Sequence, residues 1–183
     1  IFYGNGGGIT LSGGEPLLHS GFCAELLKTM KAEGIHCAVD TCGHVPWSAF
    51  ASVLPYTDLF LYDFKCADAE KHRRLTGYRN ELILENLKKL DATGKDIEIR
   101  MMLVPEQNMA PDDLRAAGNF LAPCKNISAI RLLAYHSLAH SKFQAVGHPD
   151  TMPDVPSPDI EALEQAAEIL RSRGLKKVVN SLR

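Results

Sequence analysis

Residues 97–104 read Ile-Glu-Ile-Arg-Met-Met-Leu-Val. Ile97, Ile99, Met101 and Leu103 fall on one side of an extended chain; Glu98, Arg100 and Met102 fall on the other. Alternation with period two marks a β-strand with one apolar and one polar face. Outward in both directions the pattern repeats with helix-like segments between. Leu59 to Lys65 is an apolar run of the buried-strand kind that ends in Asp63 and Lys65. Ile127 to Tyr135, Ile35 to Thr41 and Ile9 to Ser12 also read as strands. Helical periods fill the gaps at Ser20–Glu33, Trp47–Leu54, Asp68–Leu75, Leu82–Leu90 and Pro111–Leu121. In the first of these Phe22, Leu26, Leu27 and Met30 share a face, and Gly34 closes it as the residue past the cap. A last helix is expected with Ser157 as cap, Pro158 in its first position and a buried stripe of Ile160, Leu163, Ala167 and Leu170. Val178 and Val179 suggest a final short extended piece.

This βαβα order predicts an α/β fold, a parallel sheet flanked by helices that is either open or curled into a barrel. Five principal strands in 183 residues are too few for a closed eight-stranded barrel, which takes about 250 residues. The stretch His148–Pro158, with four prolines, reads as a surface loop, so a single domain over 1–183 is expected. Lys plus Arg is 20 and Asp plus Glu is 22, for a net charge of −2. That balance gives no electrostatic case for nucleic acid or a membrane surface. No apolar run approaches the roughly 20 residues of a membrane helix. The five cysteines (23, 37, 42, 66, 124) contain no CxxC pair, so metal-binding spacing is absent and free thiols in a reducing cytoplasm are expected. The chain opens at Ile1 in mid-pattern, as a fragment would.

Parallel α/β folds gather binding groups at the carboxyl ends of their strands. That rule selects Gly13-Gly14-Glu15, Asp40-Thr41, Asp63-Phe64-Lys65, Arg100 and Met102, and His136. Bare backbone at Gly13 and Gly14 lets a ligand lie close, its carbonyls accepting from an ammonium group; the same residues also make a tight strand-to-helix turn. Asp63 and Lys65 share a strand face, where they either hold an amino-acid-like ligand or form an internal ion pair. Asp40 and Thr41 offer oxygens to a hard cation or a hydroxyl, or cap a helix. Arg100 meets a ligand carboxylate, or else Glu98 or Asp63. His136 reads as a hydrogen-bonding or stacking residue, and His140 as surface. The run Gly4–Gly8 precedes a strand instead of following one and fails the dinucleotide pattern. No nucleophile–base pair emerges.

Taken together, Gly6-Gly7-Gly8-Ile9-Thr10-Leu11-Ser12-Gly13-Gly14-Glu15-Pro16, Asp40-Thr41-Cys42-Gly43, Tyr62-Asp63-Phe64-Lys65 and Leu133-Ala134-Tyr135-His136 occur in order. In this the chain resembles the glycyl-radical-enzyme activating enzymes of the radical S-adenosylmethionine (SAM) superfamily, from about Ile1 to Leu182. The resemblance implies a partial, open (β/α)6 barrel and a SAM site. Its residues here match Gly13, Gly14, Glu15, Asp63, Phe64, Lys65, Arg100, Met102 and His136. It further implies a monovalent cation near Asp40, Thr41, the backbone of Leu61, and Asp63. The family mechanism is reductive cleavage of SAM, giving a 5′-deoxyadenosyl radical that takes hydrogen from a glycine Cα. The implied partners are a glycyl radical enzyme (pyruvate formate-lyase or a relative) and an electron donor such as flavodoxin or ferredoxin. The rim from His136 to Ala145 is the expected docking place of the former. The family's [4Fe–4S] cluster rests on CxxxCxxC, which these 183 residues lack. The expectation is therefore a SAM-binding core that is inactive by itself, within an active parent. Two alternatives are a metal- or lysine-dependent barrel lyase or aldolase working through Lys65, and a non-catalytic module that binds SAM or a partner.

Overall fold

A computed structural model of the chain describes residues 7–136, 147 and 154–180. The run Gly4–Asn5–Gly6, His140, His148 and all of the expected rim from His136 to Ala145 except His136 itself lie outside these. Six parallel strands form one sheet: β1 (Gly8–Leu11), β2 (His36–Thr41), β3 (Leu59–Asp63), β4 (Asp96–Leu103), β5 (Ile127–Ala134) and β6 (Val178–Asn180). Their spatial order is their order in the chain, and among the described residues β1 and β6 are the two edges. The sheet is open, as expected, and the extended piece at 178–180 is a full sixth strand paired with β5. Between the strands run α1 (Ser20–Ala32), α2 (Trp47–Val53), α3 (Ala69–Thr76), α4 (Glu81–Asp91), α5 (Pro111–Leu121) and α6 (Ile160–Arg171).

The alternation in the sequence becomes two unlike sheet faces. Ile97, Ile99, Met101 and Leu103 of β4 are buried, as are Phe60, Tyr62 and Phe64 around β3 and Val39 of β2. They meet Leu27, Phe50, Leu87, Leu114 and Leu163 from the helices in one core cluster. Each such side chain, fully buried, contributes about 1.5–3 kcal/mol. The other face carries Asp40, Asp63, Glu98, Arg100 and Arg131, all partly exposed. A strand run in sequential parallel order has its connecting helices on one side, which leaves this second face uncovered.

Some helix details differ from expectation. The last helix starts at Ile160 behind Asp159, whose carboxylate accepts from the Ala162 N–H at 2.8 Å. Asp159 lies two residues closer to the N–H groups needing partners than Ser157, so Ser157 and Pro158 stay outside the helix. Ile160 is 51% exposed, and the buried stripe is Leu163, Ala166, Ala167 and Leu170. In α1 the core face is Cys23 and Leu27, four residues apart, and Phe22 points to solvent at 71% exposure. Gly34 does take the left-handed conformation past α1, with φ 71°.

Glu106, in the loop after β4, is among the described residues the non-glycine residue with positive φ, at 64°. Its Cβ is crowded by its own backbone there, at a cost of about 1–2 kcal/mol. Its side chain enters no ion pair among the described residues. Glu106→Gly is expected to raise stability by about 1 kcal/mol after the entropy of glycine is subtracted. A thermal melt checks this, with a rise of about 2–4 °C expected; a lower midpoint contradicts it.

Candidate functional site

In a parallel sheet every carboxyl end lies at the same edge. Here that edge opens into a cavity of about 600 Å³, within the range of small-molecule sites. Strand ends supply Ser12, Gly13, Gly14, Asp40, Asp63, Lys65, Arg100, Met102 and Leu133 to its wall. Arg74, Leu75 and Thr76 from α3 and Gln107 and Asn108 from the β4–α5 loop close it.

Register fixes the charges. Asp63 pairs in the ladder with Arg100, and Asp40 with Leu61, so carboxylates and cations stand on neighbouring strands of one face. Arg100 Nη1 reaches past Asp63 to Asp40 Oδ2 at 2.6 Å, and Ser12 Oγ donates to the same oxygen at 2.9 Å. Arg100 therefore pairs with Asp40, not with Glu98 or Asp63. Lys65 Nζ stands 3.2 Å from Asp63 Oδ2. Elsewhere on the same face Arg131 holds Glu98 through two bonds, Nε–Oε1 at 2.6 Å and Nη2–Oε2 at 2.9 Å. Partly exposed pairs of this kind add little stability; what they do is hold charged groups at set places.

The glycines present bare backbone. A Cβ at Gly13 or Gly14 would meet nothing within 4 Å. Protein packing therefore does not demand a glycine at 14, and the missing side chain leaves space on the cavity wall. Glu15 does not line that wall. Its carboxylate accepts from Leu17 N (3.0 Å), from Thr41 Oγ1 (2.9 and 3.0 Å) and from Cys42 N (2.8 Å). It ties the end of β1 to the end of β2. Thr41 is accordingly buried and engaged with Glu15.

Two other sequence candidates fall elsewhere. Phe64 is in the core, its ring 5.8 Å from Phe120, because it sits between two residues that face the cavity and period two turns it away. His136 is exposed and is not among the lining residues; β5 stops at Ala134, and Tyr135 takes the buried position that follows. Sequence reasoning missed Arg74 and Asn108. Extending the strand-end rule by one loop turn reaches Asn108; nothing in the helical pattern of α3 singles out Arg74.

The five thiols are free. Cys42 is the one on the cavity wall, and burial raises its pKa. Burial also pushes Cys66 and Cys124 up to about 11. These thiols stay protonated near neutral pH, when nucleophilic and metal-ligating cysteines are thiolates. Among the described residues no group of three or more His, Cys, Asp or Glu side chains could hold a metal ion.

Residues 1–117 match the family model described as the radical SAM superfamily. The chain is 40% identical over 146 residues to the choline trimethylamine-lyase activating enzyme of Oleidesulfovibrio alaskensis, covering 78% of this chain and 47% of that protein. It is 36% identical over 179 residues to the pyruvate formate-lyase-activating enzyme of Staphylococcus epidermidis, covering 94% of this chain and 71% of that one. The chain thus spans about half the length of several curated relatives it matches. A solved domain of pyruvate-formate lyase-activating enzyme from Bacteroides vulgatus superposes with a TM-score of 0.81 at 30% identity, over 96% of this chain and 99% of that domain.

Proposed function

The chain belongs to the radical SAM superfamily, among the glycyl-radical-enzyme activating enzymes, and on that footing we propose that its strand-end cavity binds S-adenosylmethionine for the activation of a partner enzyme. The observation that carries this is the cavity's donor set. Bare backbone at Gly13 and Gly14 and carboxylates at Asp40 and Asp63 suit an ammonium, a sulfonium and a ribose diol. The ammonium of Lys65 suits a carboxylate. Those are the polar groups of SAM outside its adenine, and the volume suits a ligand of its size. Held there by Gly13, Gly14 and Lys65, SAM would be the source, on one-electron reduction with loss of methionine, of the carbon radical that takes hydrogen from a glycine Cα; the electron would come from a donor of flavodoxin or ferredoxin type.

The protein's own share is placement. The glycine carbonyls take the amino group, Lys65 takes the carboxylate, and Arg100 with Met102 forms the wall beyond. Asp40 and Asp63 also face the place where a monovalent cation would stand, with the Leu61 carbonyl between them in register. Glu15 serves as a brace, Phe64 contributes only its backbone, and His136 acts from outside the described cavity. The partner is a glycyl radical enzyme, pyruvate formate-lyase or a relative of it. We place the reaction in the cytoplasm and the 183 residues in one domain; no helix among the described residues is long and apolar enough to cross a membrane.

The residues present do not fit a [4Fe–4S] cluster: the cysteines lack cluster spacing, and four of the five lie off the cavity wall. We therefore assign this chain SAM binding without cluster chemistry. Iron and sulfide analysis after anaerobic reconstitution should find no stoichiometric cluster and no 5′-deoxyadenosine; finding both overturns that assignment.

Titration calorimetry with SAM tests the site. Binding is expected, and Lys65→Ala should weaken it by roughly ten- to a hundredfold, the worth of one charge-assisted hydrogen bond. No heat from the unsubstituted chain, or equal affinity in the variant, overturns the reading.

A further inference from the structure

Asn108 lies in the loop between β4 and α5, 5% exposed, on the wall of the cavity. Its amide makes three hydrogen bonds. Nδ2 donates to the carbonyl of Lys65 at 3.0 Å and to that of Met102 at 2.9 Å, and Oδ1 accepts from Val104 N at 2.8 Å.

The sheet explains why an amide is needed there. Alternate carbonyls of a parallel strand point to opposite neighbours. On β4, the Arg100 carbonyl accepts from Phe64 N at 2.9 Å, toward β3, and the Leu103 carbonyl accepts from Tyr135 N at 3.1 Å, toward β5. The Met102 carbonyl, two residues past Arg100, therefore points toward the line of β3. But β3 ends at Asp63, so no strand continues there to donate. The Lys65 carbonyl has left the ladder for the same reason. Two partly buried carbonyls without donors would count against the folded state. One primary amide, with two N–H groups and an oxygen, satisfies both and the Val104 N–H besides.

We infer that Asn108 is a positioning residue of the cavity: its side chain completes the ladder between β3 and β4 past the end of β3 and thereby fixes where the Lys65 ammonium and the Met102 side chain stand. The importance of that placement for SAM rests on the reading of the cavity given above. Aspartate offers the oxygen but neither donor. Alanine offers nothing, and serine a single short hydroxyl.

Two readouts test the inference, both taken at a temperature where each variant is fully folded by its own melting curve. The first is the calorimetric affinity for SAM. The second uses no ligand: the resonance of Lys65 in ¹³C-dimethylated protein, identified by its loss in Lys65→Arg. Asn108→Ala is expected to weaken SAM binding about tenfold and to move the Lys65 resonance. Asn108→Ser, the milder change, should do both to a lesser degree and serves if the alanine variant yields no folded protein. A residue that only stabilises the fold would leave folded variants with the original affinity and resonance, and that result overturns the inference. If the unsubstituted chain binds no SAM, the reading of the cavity fails and the Lys65 resonance alone decides the role of Asn108.

Discussion

Gly43→Ala is expected to leave little folded protein. Gly43 follows β2 with φ 75°, and a Cβ there would stand 1.9 Å from Tyr62 Oη and 2.3 Å from its Cζ. Tyr62 cannot yield. It is fully buried, and its hydroxyl donates to the Ile83 carbonyl at 2.7 Å. The glycine's own carbonyl is held by Asn86 Nδ2 at 2.9 Å. The left-handed conformation costs an alanine about 1 kcal/mol, overpacking about 1–3, and the displaced Tyr62 hydroxyl about 1–2 more. A total of about 3–6 kcal/mol consumes much of a typical domain's stability. Urea unfolding measures it. Adding Tyr62→Phe removes the Oη contact but not the Cζ contact, so the double variant should recover only part of the loss. A Gly43→Ala protein within about 1 kcal/mol of the original would contradict this reading of the Gly43–Tyr62 contact.

The second large effect is expected at Glu15. Its carboxylate is the common acceptor for two backbone N–H groups and one hydroxyl drawn from the ends of β1 and β2. Glu15→Ala leaves all three without it. At about 1 kcal/mol or more each the loss is roughly 3 kcal/mol, or about 6–12 °C in melting temperature for a chain of this size. SAM affinity should fall as well, because the same carboxylate holds the turn that carries Gly13 and Gly14. Glu15→Gln is expected between the two, since its amide keeps one oxygen but turns an NH₂ toward donors. Stability unchanged in the alanine variant would mean that water replaces the carboxylate at no cost.

The sheet and most of the cavity were legible because both follow from period two. Once Ile97–Leu103 is extended, Arg100 and Met102 must share a face, and Asp63 must share one with Lys65. The same rule turns Phe64 inward, against a motif whose neighbouring residues look alike as a block. Glu15 was harder. Its place beside Gly13 and Gly14 suggested a ligand contact, yet its partners Thr41 and Cys42 lie 26 and 27 residues away in the chain. Which carboxylate an arginine chooses is equally a matter of three dimensions: Glu98 is nearer to Arg100 in sequence, but register brings Asp40 within reach and commits Glu98 to Arg131. Asn108 escaped notice because its task is set by where β3 stops, and β3 stops two residues before the apolar run does.

The order of the six strands bears on how the molecule comes into being. Each strand pairs with the one made just before it, so no early segment waits for a late one to find its partner. During synthesis the growing sheet can accept one strand-and-helix unit at a time, each closing a connection of 17 to 43 residues to the strand before it. The sheet edge left open at each stage is the docking edge for the next unit, which keeps a long unpaired strand from persisting at the ribosome.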